Sequence, residues 1–261
     1  MERNIDFQFN MLDYFNNSIG IEFIKIRSGE FLMGSPSTEM TSRNNERPMR
    51  KYEINEFYLG VYPVTQSQYS QIMGTNPSYF SENGNGKNSV VGLSTQNFPV
   101  DSVSWEEAQN FCDRLSSQPV ELLYKRKYRL PTEKEWEYAC KSGKMTPFST
   151  GDTFTSYDGN INGLYPYNSE IIGPTLNRTC DIGCYSPNRF GLFDMHGNVW
   201  EWCDDEYYTY NTLLPKGNSA RILKGGSWNC YSRFCRSSYR CIAEKDVHYY
   251  DCGFRIICDI T

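Results

Sequence analysis

The apolar positions of this chain follow the helical period in a few short stretches. Five of them recur at intervals of three and four residues and share one helical face: Trp105, Ala108, Phe111, Cys112 and Leu115. Ser104 precedes them and Glu107 follows it by three residues, which is the spacing of a capping box. "LPTEKEWEYACKSG" repeats the spacing with Thr132 and Glu135, and "VTQSQYSQIMG" predicts a third helix that ends at Gly74.

Strand-like stretches are short. They are "EFIKIRSGEFLMG", "YEINEFYLGVYPVT", "ARILKGG" and "CGFRIICDI". Residues 75–97 are rich in Gly, Ser and Asn and indicate a long loop inside one domain. No repeat divides the chain. Few helices, short strands and long loops predict an α+β fold.

Composition narrows the classes of partner. The net charge is -5, so a basic surface for nucleic acid is not expected, and Lys125–Lys127 indicate a solvated face. No apolar run is long enough to cross a bilayer, and we expect no membrane insertion. The first 15 residues lack the pattern of a signal peptide. A cell-surface or virion location, if an export signal was removed, and a cytoplasmic location both stay open.

The ten cysteines are irregularly spaced and include no pair of CxxC units. Cys180 and Cys184 form a C-x3-C without a second pair, so zinc is not expected there. The tract "GGSWNCYSRFCRSSYRC" poses the sharper question. Cys230 and Cys235 are either a reactive or metal-binding pair or incidental members of a recognition surface.

Eight motifs occur in an order that resembles the formylglycine-generating-enzyme (sulfatase-modifying-factor) domain, from about Ile21 to Cys258. They are "GEFLMGS", "FYLGVYPVTQSQY", "FPVDSVSWEEAQNFCDRLS", "YRLPTEKEWEYAC", "PNRFGLFDMHGNVWEWC", "RILKGGSW", "CRSSYR" and "GFRI". The resemblance implies a decorated C-type-lectin-like fold over residues 21–261, with residues 1–20 as an N-terminal extension.

Most Trp, Gly and Arg residues of these motifs are scaffold in that family. We expect Trp200, Trp202 and Trp228 to fill the core and Gly225–Gly226 to allow close backbone approach. His196 is expected to be packed and hydrogen-bonded. The chain has two histidines, too few for a multi-histidine iron site.

The resemblance implies a copper-dependent oxidase as one possible function. The spacing of Cys230 and Cys235 matches the copper-binding pair of the enzymes, and two thiolates suit Cu(I). The Arg-Ser-x-Asn-Thr-Pro-Asp segment that helps to shape their peptide groove is missing, however, and the shorter "CIAEKDVHYYDC" stands in its place.

Calcium is a further cofactor that the resemblance implies. Asn160 and Ile161 resemble one calcium position of the family, and Asn198 and Glu201 resemble the other. "DGNING" also resembles the first half of a calcium loop, but without the glutamate at position twelve. The alternative is that these Asn and Asp side chains only form turns.

The C-terminal tract also resembles the variable region of bacterial or phage proteins diversified by retroelements. A constant frame includes Trp228, Arg236, Arg240 and Arg255. Residues of mixed type lie between them, and these are the predicted ligand-binding residues: Cys230, Tyr231, Ser232, Phe234, Tyr239, Cys241, Ile242, Val247, His248, Tyr249, Tyr250, Asp251 and Cys252. In such regions adenines of Asn codons are mutated, and every one of these residue types is reachable from an Asn codon.

Tyr and Phe supply contact area, while Ser and Asp supply adaptable hydrogen bonds, as in antibody paratopes. We therefore expect a non-catalytic protein that binds an unknown ligand, with a protein as the expected partner and no required cofactor. The alternative is a formylglycine-generating oxidase. We also expect the mixed residues to face solvent on one surface, with the frame residues beneath them.

Overall fold

Three sheets are built from eleven strands in residues 13–207 and 220–260, the part of the chain that a computed structural model describes. The strands are β1 (Tyr14–Asn16), β2 (Glu22–Ile26), β3 (Gly29–Met33), β4 (Arg50–Ile54), β5 (Phe57–Gly60), β6 (Arg126–Arg129), β7 (Trp200–Glu206), β8 (Ala220–Lys224), β9 (Cys241–Glu244), β10 (Cys252–Gly253) and β11 (Ile257–Ile260). The five-stranded sheet has the order β1-β2-β5-β11-β6, the four-stranded sheet has the order β10-β7-β8-β9, and β3 pairs with β4.

Four α-helices accompany these sheets in the described residues. They are α1 (Gln66–Met73), α2 (Trp105–Ser116), α3 (Pro119–Leu123) and α4 (Glu133–Lys141). Both predicted capping boxes are confirmed, because Ser104 and Thr132 accept from the backbone three residues on and the glutamates there bond back. Gly74 ends α1 with a φ of 76°, also as predicted.

The predicted apolar face of α2 lies in the main core. Ala108, Phe111, Cys112 and Leu115 are buried there. Trp105 is half-buried, and its indole N–H donates to the Cys203 carbonyl at 3.0 Å. The helix thus contacts β6 and is hydrogen-bonded to β7 through Trp105.

The four predicted strand stretches are confirmed, whereas β1, β6, β7, β9 and α3 were not predicted. Residues 75–97 contain a single 3-10 turn, Lys87–Ser89, and are otherwise irregular, as expected of a long loop. Lys125 and Lys127 flank the start of β6 and are exposed. The edge strand β1 begins at Tyr14, ahead of the expected domain start.

The last part of the chain is shared between two sheets. β9 pairs antiparallel with β8, and β10 pairs parallel with β7. β11 then lies between β5 and β6, antiparallel to both. The residues between β8 and β11 are therefore held at both ends by strand pairing. Within the described residues no helix is long and apolar enough to span a membrane.

Candidate functional site

The tract between β8 and β11 begins with a tight glycine turn. Gly225 and Gly226 have φ values of 91° and 78°, a region that strains L side chains. A Cβ on Gly226 would lie 2.2 Å from Sγ of Cys235. The close approach expected of this pair is confirmed, and it sets the segment after β8 directly against Cys235.

Buried arginines anchor the tract to acidic residues from distant parts of the chain. Each donates hydrogen bonds of 2.6–2.9 Å to both oxygens of one carboxylate, and the pairs are Arg236–Glu46, Arg240–Glu133 and Arg255–Glu201. Trp228 is also buried, with 7% of its surface exposed. The expected position of these four frame residues beneath the surface is confirmed.

The mixed residues divide into three groups by exposure. The exposed group is Ile242, His248, Tyr249 and Tyr250. The half-buried group is Cys230, Tyr231, Phe234, Cys241, Val247 and Asp251. The buried group is Ser232, Tyr239 and Cys252. The expectation that all of them face solvent is wrong for the third group.

Each buried member has a structural partner that keeps it inside. The Ser232 hydroxyl donates to the Tyr165 carbonyl at 2.9 Å. The Tyr239 ring packs 5.9 Å from the ring of Trp200, and Cys252 pairs with Trp200 where β10 meets β7. These three side chains therefore belong to the frame and offer little to a ligand.

Tyr231 and Phe234, two of the half-buried mixed residues, lie beside three further residues. We call this group the aromatic–arginine patch: Arg43, Tyr165, Tyr231, Arg233 and Phe234. The rings of Tyr165 and Tyr231 are stacked with centroids 3.8 Å apart. The Arg233 guanidinium lies 4.7 Å from the Phe234 ring centroid, and that of Arg43 lies 5.7 Å from the same centroid. Two arginines and three rings thus share one surface.

The exposed Tyr249 and Tyr250, together with Tyr79 from the loop 75–97, form what we call the tyrosine patch. The Tyr250 ring lies 5.3 Å from Tyr79 and 5.8 Å from Trp228 beneath it. The Tyr249 carbonyl accepts from the Ser102 amide at 3.1 Å. The exposed tyrosines of the tract are therefore held by Trp228 beneath them and by Tyr79 and the Ser102 backbone outside the tract.

Cys230 and Cys235 lie in the same apolar cluster. Burial raises the pKa of Cys230 to about 12, although the Ser227 hydroxyl 3.3 Å from its Sγ opposes the rise. Burial raises the pKa of Cys235 well above its ordinary value, and the nearby Cys230 adds to this. Both are thiols at neutral pH. Two neighbouring sulfur donors fit a soft ion such as Cu(I), which would have to displace their protons.

His196 has the packed, hydrogen-bonded position that was expected. It is 6% exposed, its Nδ1 lies 2.7 Å from the Cys235 carbonyl, and its Nε2 accepts from the Ser149 amide at 2.9 Å. Burial lowers the pKa of His196 to about 4, so the ring is neutral. The other histidine, His248, is exposed and lies 3.0 Å from Glu107.

The two candidate calcium positions differ in whether their oxygen atoms already have partners. Asn160 donates its amide to Asn198 Oδ1 at 3.2 Å, and Oδ1 of Asn160 is buried without a partner among the described residues. Ile161 is buried beside them. The Glu201 carboxylate is already neutralised by Arg255, which disfavours a second cation there. Within residues 13–207 and 220–260, no three His, Cys, Asp or Glu side chains form a metal-binding group.

The Asp158 carboxylate accepts from the amide and the hydroxyl of Thr155, both at 2.9 Å. This is the turn-forming role weighed against a calcium loop.

Four residues of the two patches were not among the predicted ligand-binding residues. Arg233 was assigned to the constant frame but is exposed in the structure. Arg43, Tyr79 and Tyr165 come from loops far from the C-terminal tract in sequence. No local pattern marks them, because only the folded chain brings them beside Tyr231, Phe234 and Tyr250.

The chain that carries this surface is similar in sequence to known proteins. The chain matches the family described as "sulfatase-modifying factor enzyme 1-like domain" over residues 14–260. The chain belongs to this family. The formylglycine-generating enzyme of Mus musculus is 25% identical over 295 residues, 91% of this chain and 75% of the relative. The inactive C-alpha-formylglycine-generating enzyme 2 of Mus musculus is 25% identical over 247 residues, 78% and 73% of the two chains.

Two solved structures share the fold of this family member. PvdO from Pseudomonas aeruginosa superimposes with a TM-score of 0.76 at 22% identity, over 94% of this chain and 97% of its own. Treponema denticola variable protein 1 gives 0.71 at 23% identity, over 94% and 98%. The chain therefore has the α+β, C-type-lectin-like fold of the formylglycine-generating-enzyme type, as its motifs implied.

Proposed function

We propose that this protein binds a ligand without catalysis, through a C-terminal surface that a retroelement diversifies. The observation that carries the proposal is the division of one short tract into exposed rings and a buried frame. Tyr249 and Tyr250 are 49% and 43% exposed, whereas Arg236 and Arg255 are 0% exposed. Such a tract can change its surface chemistry while its anchors stay the same.

The exposed chemistry suits recognition of a protein. Tyrosine offers a large rigid ring with a polar tip, and it loses little conformational entropy when it is buried by a partner. Tyr231 and Tyr250 are each packed against another ring, which restricts them further before binding. A pre-ordered aromatic surface loses less free energy on association than a mobile one.

Selection from a displayed random-peptide library tests this function. The wild type is compared with a variant carrying Tyr231→Ser, Tyr249→Ser and Tyr250→Ser. A control variant carries Leu122→Ser and Leu123→Ser at the end of α3 and Tyr124→Ser directly after it, where the original side chains are exposed. We expect selected peptides to bind the wild type and the control alike and to lose about tenfold or more in affinity for the tract variant.

Peptides that bind all three proteins equally would contradict the proposal.

The diversification is tested separately in the DNA beside the gene. We expect a near-copy of the codons for residues 228–255 that differs at adenines, next to a reverse-transcriptase gene. A flanking region with neither element would remove the retroelement from the proposal and leave ligand binding to the peptide experiment.

Formylglycine generation is the second candidate function. It is favoured by the neighbouring thiols of Cys230 and Cys235 and by the relation to the Mus musculus enzyme. These two residues would hold Cu(I), which supplies oxygen activation when bound. The Ser227 hydroxyl, 3.3 Å from Cys230 Sγ, is placed to stabilise a thiolate there. The substituted groove segment makes this the weaker candidate.

A further inference from the structure

The aromatic–arginine patch places two guanidinium groups on ring faces. Arg233 lies 4.7 Å from the Phe234 centroid and 5.4 Å from that of Tyr231. Arg43 lies 4.8 Å from the centroid of Tyr239 and 5.7 Å from that of Phe234. These distances are within the range of cation–π attraction. The rings therefore help to hold both cations in place.

Neither cation is neutralised by a residue that the structure describes. Arg43 and Arg233 are exposed, and neither side chain forms an ion pair or a hydrogen bond with any residue in the described ranges. The frame arginines differ, because each of them donates to a carboxylate. A guanidinium stacked on a ring keeps its in-plane N–H donors, and their fork matches the two oxygens of a carboxylate.

The position of Arg43 is built into the fold. Arg236, which is fully buried, bonds to Glu39, to Glu46 and to the Thr41 carbonyl. These bonds fix the loop on both sides of Arg43. The backbone carbonyl of Arg43 also accepts from the Glu46 amide at 3.1 Å. An arginine from a distant loop is thereby held beside the C-terminal tract.

We propose that the aromatic–arginine patch binds an acidic segment of a protein partner, with carboxylates on the two guanidinium groups and apolar or aromatic side chains on the rings. This inference rests on the proposed function and specifies its partner. Charge complementarity carries it, because two cations that have no ion-pair partner within residues 13–207 and 220–260 stand together on a chain of net charge -5. That net charge opposes a uniform polyanion, whereas a short acidic segment meets mainly the local field.

Three fluorescently labelled 12-residue peptides test the inference: alternating Glu and Tyr, alternating Gln and Tyr, and alternating Lys and Tyr. Affinity is measured by anisotropy at low and moderate salt. We expect the Glu peptide to bind about tenfold or more tighter than the Gln peptide, because hydrogen bonds between a guanidinium and a carboxylate are stronger than those between a guanidinium and a neutral amide. The preference should shrink as salt rises.

The variant Arg43→Gln/Arg233→Gln should lose the preference for Glu over Gln. The control Lys127→Gln/Arg189→Gln removes the same charge from exposed side chains outside the patch and should keep it. Thermal melting of both variants checks that they are folded.

Equal affinity of the wild type for the Glu and Gln peptides would overturn the inference. So would a preference that the control loses as fully as the patch variant, or tighter binding of heparin than of the Glu peptide, which would assign the patch to sulfated polysaccharide. None of these results bears on the library experiment. If selected peptides still depend on Tyr231, Tyr249 and Tyr250, ligand binding stands while the acidic partner falls.

Discussion

Arg236 and Arg255 are charged side chains with no exposed surface, and each donates to a carboxylate. Removing one partner of a buried ion pair typically costs about 3–5 kcal/mol, because the other charge is left unpaired in a poor solvent for ions. An exposed neighbour such as Tyr249 can be replaced for about 0.5 kcal/mol or less. This difference between single residues explains how one tract can combine a constant frame with a changeable surface.

Asp101 is the residue for which we predict a clear pH effect. It is fully buried, and its Oδ1 accepts from the Tyr79 amide and the Ser102 hydroxyl, whereas Oδ2 has no partner among the described residues. Burial raises the pKa of Asp101 from 3.8 to about 7, against the opposing hydrogen bonds. The folded state therefore holds a proton that the unfolded state releases, and this contribution to stability is lost as pH rises from about 4 through 7.

The variant Asp101→Asn removes this titration. Urea unfolding is measured at pH 4, 6 and 8. The free energy of unfolding of the variant, relative to that of the wild type, should rise by about 4 kcal/mol from pH 4 to pH 8, because each unit of pKa shift corresponds to 1.36 kcal/mol. Asp113→Asn, an exposed change on α2, controls for the altered net charge. Parallel pH profiles of the wild type and Asp101→Asn would show that Asp101 keeps its ordinary titration.

At the scale of elements, local signals found the helices best. The capping boxes at Ser104 and Thr132 and the stop at Gly74 are short-range features, and a folded neighbour is not needed to create them. The sequence did not predict α3, because its Leu122 and Leu123 are exposed and do not form a buried apolar face. Intrinsic patterns therefore identify an element only where its own residues show which side is buried.

The missed strands depend on distant partners. β7 is flanked by β8 on one edge and by the two-residue β10 on the other, about 50 residues later in the chain. The sequence of β6 is a run of basic and aromatic residues without an apolar pattern. Tyr128 is nevertheless buried, because β11 pairs beside it. Such strands are defined by pairing across the chain, which no local period records.

The division of the segment between β8 and β11 into buried frame residues and exposed surface residues can be tested by mutation. Trp228→Ala should cost roughly 3–5 kcal/mol, since Trp228 is 7% exposed and packs against Phe80 with ring centroids 5.3 Å apart. The combined variant Ile242→Ser, His248→Ser and Tyr249→Ser should cost about 0.5 kcal/mol or less per change. Chemical denaturation measures both. Similar losses in the two variants would mean that frame and surface are not separate.

At the scale of the whole molecule, the two candidate functions require different surface shapes from the same fold. An oxidase must hold a peptide thiol in near-attack geometry, and that requires a groove. The motif resemblance predicts that "CIAEKDVHYYDC" stands in place of the segment that helps to form the groove in the enzymes, and Tyr249 and Tyr250 of this stretch are exposed. We predict that the protein does not convert a sulfatase-type cysteine peptide to formylglycine when copper and oxygen are supplied.

Peptide mass spectrometry after incubation with the copper-loaded protein provides the measurement. The Cys230→Ser variant is the matched control, and the Mus musculus enzyme shows that the assay works. Turnover by the wild type that Cys230→Ser abolishes would make Cys230 and Cys235 catalytic residues. Copper binding without turnover would agree with the prediction, because a thiol pair can bind the ion without a groove.

The whole molecule also sets the limit of what the sequence predicted about the site. The tract, its buried arginines and its exposed tyrosines followed from motif order and residue type. Arg43 and Tyr165 did not, because they reach Phe234 and Tyr231 only after long loops have folded back. The burial of Ser232 was missed for the same reason, since its acceptor is the carbonyl of Tyr165.

The central place of β11 has a consequence for how the protein is made. This strand fills the gap between β5 and β6, so the five-stranded sheet stays open until β11, which follows the whole tract, has been translated. A stop codon or frameshift anywhere in the tract deletes or scrambles the strand that closes the sheet. If a retroelement mutates the tract as we propose, folding would act as a filter on the products, because a chain whose reading frame is broken before β11 does not complete its five-stranded sheet.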